Sequence, residues 1–380
     1  MKIARRLQDL AQSDIRRMTR ECERVGGINL GQGICDLPTP PLVRDGAIKA
    51  IRENRSTYSF AEGAPELREA IARKLARDNG LKADPGTEIC VTVGASGAYA
   101  CAIHALLDPG DGILLFEPYY GYHLNAAIVA GLTPQFATLQ PPDFALDEAA
   151  LEKAITPQTR AVVVCTPSNP SGKMFSRDEL QTLAKVANKH DLLIITDEIY
   201  EYIRYDGREH ISPASFARDR TVTIMGLSKT FSITGWRLGY AVAPEPFTKA
   251  ITLVNDLDYV CAPTPLQLGA AAGFDAPKSY FDELQSSYQH KRDLICDALA
   301  SVREVYPEFH VAAERFIETG DEVIVPSSVA GRSVSGVEVN TRQTYVWTVR
   351  DGRAIRFRWF NELEEALAAV GLSTDEAGGA

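Results

Sequence analysis

The strongest constraint on the fold of this chain is the alternation of apolar, strand-like runs with helix-like runs. In residues 90–107 an apolar run leads into a glycine-rich turn and then a helical pattern. Residues 191–200 and 221–240 also begin with apolar or β-branched residues and then become polar, whereas residues 177–190 repeat like an amphipathic helix. This alternation predicts an α/β fold with a mainly parallel, doubly wound sheet. Ligands of such sheets bind at the carboxyl ends of the strands.

Residues 221–240, TVTIMGLSKTFSITGWRLGY, place a lysine at such a strand end. A lysine held among apolar neighbours, as we expect for Lys229, loses solvation of its charged form and becomes a nucleophilic amine. Arg237 lies eight residues further on and can bring a fixed positive charge back to the same site. A lysine for an imine and an arginine for a phosphate suggest pyridoxal phosphate. The alternative is a solvated surface lysine.

Two other strand ends carry groups that suit a charged ligand. The glycine turn in CVTVGASGAYACAIHALL opens a helix, and the backbone N–H groups of Gly94, Ala95 and Ser96 are candidates to bind a phosphate there. The spacing is not G-x-G-x-x-G, so dinucleotide binding is not indicated. In DLLIITDEIY, Asp197 follows an apolar strand and needs a partner if its carboxylate is buried. The alternative for Asp197 is the N-cap of a helix.

The segment around Lys229 resembles the active-site segment of class I/II aminotransferases, which are pyridoxal-phosphate enzymes of fold type I. That family reads S-x-S-K-x-x-x-x-x-G-W-R-x-G, and this chain departs at the first serine, which is Gly226. The serine hydroxyl contacts the cofactor phosphate in the family, so we expect one phosphate contact to be missing. Over about residues 28–300 the order and spacing of the strand-end asparagine, aspartate and lysine also match.

The resemblance implies a role for each matching residue. Lys229 would bind the cofactor as an imine and, once freed by the incoming substrate, act as general base and acid. Asp197 would keep the pyridine nitrogen protonated, and Tyr200 and Asn169 would hold the phenolic oxygen. Tyr120 would stack on the ring, with Tyr119 and Tyr122 as rivals. The remaining candidates hold the phosphate or the substrate: Gly94, Ala95, Ser96, Arg237 and the partner subunit's Tyr58 for the phosphate, and Gly33 for the substrate carboxylate.

The resemblance further implies the reaction and the assembly. We expect an aminotransferase that moves an amino group between an α-amino acid and a 2-oxo acid, working as a homodimer with shared active sites. A β-eliminating lyase on the same scaffold is the first alternative. The second is a catalytically impaired fusion protein whose C-terminal sheet binds a small ligand or a partner chain.

Composition excludes several other classes of protein. The 380 residues carry a net charge of -10, which argues against non-specific nucleic-acid binding. No apolar run is long enough to span a bilayer, and the charged N-terminal segment 3–25, an expected helix, lacks the apolar core of a signal peptide. The seven cysteines are scattered without a C-x-x-C pair, so we expect neither a disulfide framework nor a metal site. These features predict a cytoplasmic protein.

The C-terminal part follows a different pattern. Residues 308–360 show successive strands without helices, and Asp351-Gly352 is a strong hairpin signal. A final helix with Asn361 as N-cap closes the chain. From about residue 302 the segment resembles the later half of a SnoaL-like (NTF2-like) domain, which would leave Val346, Phe357 and Trp359 without their usual cover.

If this segment replaces the small domain of the family, it must supply the arginine that binds the substrate carboxylate. In IRFRWF, Arg356 is the nearest match to that arginine and Arg358 is its rival. Alternatively, both are exposed strand arginines. We therefore expect an N-terminal helix and substrate loop at 1–44, a cofactor-binding domain at 45–270, a connecting helix at 271–301 and an atypical α+β segment at 302–380.

Overall fold

The computed structural model describes residues 4–7, 10, 19–20, 22–24, 33, 35–305, 310–332, 338–350 and 353–373. Most of the expected N-terminal helix at 3–25 lies outside these residues. The chain divides into two compact units: one comprises residues 1–10 and 35–289, and the other comprises residues 11–34 and 290–380. Within the described residues, no helix is long and apolar enough to cross a membrane.

The first unit is built on a seven-stranded sheet with the order β1-β7-β6-β5-β4-β2-β3. Only β7 runs antiparallel to its neighbours. The mainly parallel, doubly wound sheet is therefore confirmed. Its strands are β1 (Ile89–Val93), β2 (Gly112–Glu117), β3 (Thr133–Thr138), β4 (Thr159–Cys165), β5 (Leu193–Asp197), β6 (Thr221–Gly226) and β7 (Leu238–Val242).

Helices follow most of these strands and bury both faces of the sheet. They are α1 (Pro41–Arg52), α2 (Pro65–Lys74), α3 (Gly94–Leu106), α4 (Gly121–Val129), α5 (Glu148–Ala154), α6 (Arg177–Lys189), α7 (Leu227–Thr230), α8 (Glu245–Tyr259), α9 (Thr264–Gly273) and α10 (Lys278–Val305). Successive strand residues such as Ile194 and Ile195 are both fully buried, in hydrophobic clusters on opposite faces. Parallel strands covered on both sides explain the continuous apolar runs in the sequence.

Local signals account for the helix ends near the site. Helix α2 begins at Pro65, and a π-helical turn, Leu75–Asn79, extends it to Gly80, which adopts the left-handed conformation with φ of 65°. Helix α6 begins with a capping box formed by Ser176 and Glu179. Proline at a helix start and glycine just past its end are the positions that each residue favours.

The second unit contains the antiparallel C-terminal sheet that the sequence predicted. Its strands are β8 (His310–Ala313), β9 (Ile317–Thr319), β10 (Glu322–Arg332), β11 (Glu338–Arg350) and β12 (Arg353–Phe360), followed by helix α11 (Leu363–Ala368). All their pairings are antiparallel. Arg350 pairs with Arg353, and the predicted turn residues between them, Asp351 and Gly352, lie outside the described residues. Arg24 donates both guanidinium N–H groups to Glu318, at 2.9 Å each.

Two expectations for this unit are wrong. Val346 is not uncovered: it is fully buried with Ile317, Ile324 and residues of α11, because that helix packs on this face of the sheet. Trp359, on the opposite face, is 57% exposed as expected, and the side chain of Phe357 lies outside the described residues. The N-cap of α11 is Glu362, without a side-chain hydrogen bond, rather than Asn361. Helix ends are the least certain part of a sequence prediction because tertiary contacts shift them by a residue or two.

Candidate active site

Lys229 lies in the one-turn helix α7, directly after β6. Its neighbours Leu227, Ser228 and Thr230 are buried, whereas Lys229 itself is half-buried. The backbone here is tied to other elements, because the Ser228 carbonyl accepts from the Cys35 thiol at 3.7 Å and the Thr230 carbonyl accepts from the Tyr280 hydroxyl at 2.7 Å. The structure therefore holds the lysine at the strand end in a well-packed turn, as expected.

Asp197 is the last residue of β5 and is only 7% exposed. Its Oδ1 accepts from the Ile199 backbone N–H at 3.2 Å, and its Oδ2 lies 3.0 Å from Nε2 of His123. The next residues form turns, so the alternative that Asp197 caps a helix is wrong. Since a carboxylate can only accept, His123 donates through Nε2–H. A buried, oriented carboxylate of this kind can pair with a cationic group of a ligand.

His123 was missed by the sequence reasoning. It lies on α4, is 4% exposed, and packs against Tyr99 with the two rings tilted by 37° at a centroid distance of 4.6 Å. The available signal was a histidine three residues after Tyr120 in the aromatic run YYGYH at a strand end. The position in the sequence does not show which carboxylate the His123 imidazole contacts.

Tyr200 lies beside Lys229, whose ammonium is 6.0 Å from the centroid of the Tyr200 ring. Asn169 lies close enough to Tyr200 to influence its hydroxyl. Burial, followed by the nearby Asp197 charge, raises the pKa of Tyr200 to about 12. The Tyr200 hydroxyl therefore stays protonated at neutral pH and can donate a hydrogen bond.

Among the three aromatic candidates, the geometry favours Tyr120. Its ring stacks on Tyr122 at 5.2 Å and meets His123 edge-on at 5.2 Å, so it lies next to the Asp197–His123 pair. Burial, with a smaller contribution from Asp197, raises the pKa of its hydroxyl. Tyr119 instead stacks on Phe136 of β3 at 5.3 Å.

The start of α3 forms a positively charged cradle shaped by glycines. A Cβ on Gly94 would lie 2.4 Å from Nη2 of Arg237, and one on Gly239 would lie 2.4 Å from the Ala95 nitrogen. Gly94 also has φ of 75°, which favours glycine. Thus Arg237 lies against the N-terminus of this 13-residue helix, and Ser96 is exposed beside it. Backbone donors, the helix dipole and a guanidinium together suit a phosphate.

Gly226, the position at which the sequence departs from the motif, borders this cradle. A Cβ there would lie 2.7 Å from Cδ1 of Ile199 and 3.4 Å from the Ala95 Cβ. The Ile199 side chain thus occupies the space that a serine at position 226 would need. This chain therefore lacks the hydroxyl of the motif serine and instead packs Ile199 against Gly226.

The other predicted residues lie apart from this group or in the second unit. Tyr58 is 81% exposed on the first unit. Gly33 and Arg356 belong to the second unit, where Arg356 is exposed. Its rival Arg358 is engaged within that unit, since Nη2 lies 3.1 Å from Oε1 of Glu322 and Nη1 donates to the Ala369 carbonyl at 3.3 Å.

Comparisons with known proteins agree with this geometry. The family described as aminotransferase class I and II matches residues 25–315. The aspartate/prephenate aminotransferase of Thermus thermophilus is 35% identical over 318 residues, covering 78% of this chain and 82% of that protein. Aromatic-amino-acid aminotransferase 2 of Thermococcus litoralis is 33% identical over 359 residues, covering 88% and 92%.

A solved structure extends the likeness to three dimensions. The N-succinyldiaminopimelate aminotransferase of Mycobacterium tuberculosis superposes with a TM-score of 0.78 at 32% identity, covering 86% of this chain and 84% of that chain.

The packing at Gly226 predicts a specific coupling between two side chains. Gly226→Ser should lower the free energy of unfolding by about 1–3 kcal/mol, because the added atoms overpack against Ile199. Ile199→Ala removes the obstructing atoms, so the serine should cost less in the double variant than in the wild type. Urea denaturation of the two single variants and the double variant measures this coupling. Gly226→Ala is the matched control that adds the Cβ without the hydroxyl, and additive effects would contradict the proposed steric conflict.

Proposed function

Because the chain belongs to the class I and II aminotransferase family and is a pyridoxal-phosphate-dependent transaminase, we propose that Lys229 binds the cofactor and moves the proton during transfer. The observation that carries this assignment is the position of the half-buried Lys229 ammonium, 6.0 Å from the Tyr200 ring. Tyr200 in turn follows the buried Asp197 by three residues. The substrates are an α-amino acid and a 2-oxo acid.

The donor set fits pyridoxal phosphate at each end. The absence of side chains at Gly94 and Gly239 lets the Arg237 guanidinium and the backbone at the start of α3 lie close together, and Ala95 and Ser96 would add backbone and hydroxyl donors for the phosphate. The cofactor, when bound, supplies an electron sink that acidifies the substrate Cα–H.

Residues of this chain would hold the cofactor and move the proton. The Asp197 carboxylate, oriented by His123, would pair with the protonated ring nitrogen, and Asn169 and Tyr200 would donate to the phenolic oxygen. Tyr120 would cover the ring. The Lys229 amine accepts the Cα proton as general base and returns it as general acid.

Replacing Lys229 tests this proposal directly. Lys229→Ala should lose the visible absorbance of the lysine-bound cofactor that borohydride traps, because no amine remains to form the linkage. Turnover should fall by roughly 10²–10⁴-fold or more, the scale of general acid–base catalysis. Absorbance spectra and assays with a panel of amino acids measure both effects. Lys185→Ala, which changes an exposed lysine paired with Glu148, is the control, and a reducible linkage persisting in Lys229→Ala would contradict the assignment.

We further propose a homodimer in which the partner subunit's Tyr58 completes the phosphate site. Support comes from the exposure of two large aromatic side chains, Tyr58 at 81% and Phe60 at 62%. Their segment is nonetheless anchored, because Thr264 donates to the Thr57 carbonyl at 2.7 Å. Exposed aromatic residues on an ordered segment favour contact with another chain.

Subunit mixing tests the shared site. Lys229→Ala and Tyr58→Phe subunits should each be impaired, and their mixture should recover about a quarter of the wild-type activity, because mixed dimers contain one intact site. Activity after co-refolding measures the recovery. Mixing Lys229→Ala with the double variant Lys229→Ala/Tyr58→Phe should restore nothing, and a monomer by light scattering would overturn the proposal.

For the substrate carboxylate we propose Gly33 and Arg356. The engagement of Arg358 with Glu322 supports Arg356 as the available guanidinium.

We also propose the domain limits 1–44, 45–270, 271–301 and 302–380. The antiparallel sheet of the last segment supports its likeness to a SnoaL-like half-domain. A cytoplasmic location is supported by seven free thiols.

The two arginines form a matched pair for testing. If Arg356 pairs with the carboxylate through both nitrogens, Arg356→Ala should weaken substrate binding by about 2–5 kcal/mol and raise KM accordingly. Arg358→Ala should instead lower the thermal stability of the C-terminal sheet while leaving kcat/KM much less changed. Steady-state kinetics with an active amino acid decide the matter. Unchanged kcat/KM in Arg356→Ala would exclude this role.

A further inference from the structure

Glu198, the residue after Asp197, is a second carboxylate with no exposed surface. Its backbone N–H donates to the Ile224 carbonyl at 2.9 Å, so β5 pairing continues through it, and successive strand residues point to opposite faces. Ser212 donates its hydroxyl to Oε1 at 2.7 Å, and Nε2 of His210 lies 3.2 Å from Oε2. The transamination chemistry described above uses none of these three buried groups.

His210 also connects Glu198 with the neighbouring strand end. Its Nε2 lies 3.2 Å from the carbonyl oxygen of Thr166, the residue after β4. Both of its neighbours are acceptors, so Nε2 must carry a hydrogen. The Thr166 N–H in turn donates to the Asp197 carbonyl at 3.0 Å. The imidazole therefore bridges the ends of β4 and β5.

We propose that His210, Glu198 and Ser212 are positioning residues that hold the ends of β4 and β5 in the geometry required for cofactor binding. Thr166 precedes Asn169 by three residues, and Glu198 lies between Asp197 and Tyr200. A shift of either strand end would thus move the groups assigned to the ring nitrogen and the phenolic oxygen. This inference rests on the proposed function of those groups.

The charges around His210 determine its protonation. Burial disfavours its charged form, but the nearby carboxylates of Glu198 and Glu201 outweigh burial and the opposing charge of Lys74, so the pKa of His210 is raised. An ionised Glu198 without exposed surface also needs a positive partner. The raised pKa favours the protonated form of His210, and the imidazole loses its proton, and with it the charge pairing, as pH rises through that pKa.

The structure offers a matched control for the loss of a histidine–glutamate pair. His190 lies 2.7 Å from Glu152 at the end of α6, and its side chain is 29% exposed. His210→Gln keeps an N–H donor for the Thr166 carbonyl but removes the charge, whereas His190→Gln removes a pair outside the site. Ser212→Ala is a milder variant that loses the bond to Glu198 and the acceptor of the Ala214 N–H while keeping the histidine, and it serves if His210→Gln does not fold.

The experiment measures the dissociation constant of pyridoxal phosphate from cofactor-free protein, and the unfolding temperature with and without cofactor, at several pH values. His210→Gln should raise the dissociation constant by about ten-fold or more, the scale on which groups that orient ligand-binding residues act, and should shrink the stabilisation by cofactor. Wild type and His190→Gln should bind more weakly as pH rises, whereas His210→Gln should lose this dependence. Ser212→Ala should bind more weakly than wild type.

Other outcomes separate the possible failures. A His210→Gln or Ser212→Ala protein that is less stable without cofactor but binds it as tightly as wild type, with the same pH dependence, would reduce the cluster to a structural role and overturn the inference. A wild-type protein that binds no pyridoxal phosphate would overturn the proposed function itself, before any variant is compared.

Discussion

The buried Asp197 carboxylate is the constraint on which the site depends. A charge removed from water is costly unless it is paired and hydrogen-bonded, and here the Ile199 N–H and the His123 imidazole supply those bonds. The pairing fixes the position of α4 relative to the end of β5 and brings Tyr120 alongside. Burial and this carboxylate together raise the pKa of the Tyr99, Tyr120 and Tyr200 hydroxyls. One buried charge therefore sets both the geometry and the protonation of its surroundings.

At the start of α3, where we propose that the phosphate binds, the constraint is space. Glycines 94 and 239 let the Arg237 guanidinium and the start of α3 approach closely enough to act together. At Gly226 the same lack of a side chain is used for packing, because Ile199 fills the space of a motif serine. The cradle contains backbone N–H donors, Ser96 and Arg237, and it lacks the hydroxyl that the family motif has at position 226.

The adjacent carboxylates of Asp197 and Glu198, at the end of β5, have different partners. Asp197 is held by His123, whereas Glu198 meets His210 and Ser212. Strand geometry makes this division natural, since neighbouring residues point to opposite faces. The C-terminal sheet also has two different faces, because α11 covers Val346 on one face and Trp359 lies exposed on the other.

Local pattern was enough to determine much of this protein. The apolar runs predicted the strands, and Pro65 and Gly80 bounded a helix, because strand and helix periodicity and turn preferences act over a few residues. The same pattern placed Lys229 and Asp197 at strand ends, whereas Asn169 became a candidate through the resemblance to the aminotransferase family. Only the tertiary structure decided that His123 pairs with Asp197, that Arg237 lies against Gly94, and that Glu198 meets His210. Each of these contacts joins different elements, and it exists because the sheet brings strand ends together across many residues of intervening chain.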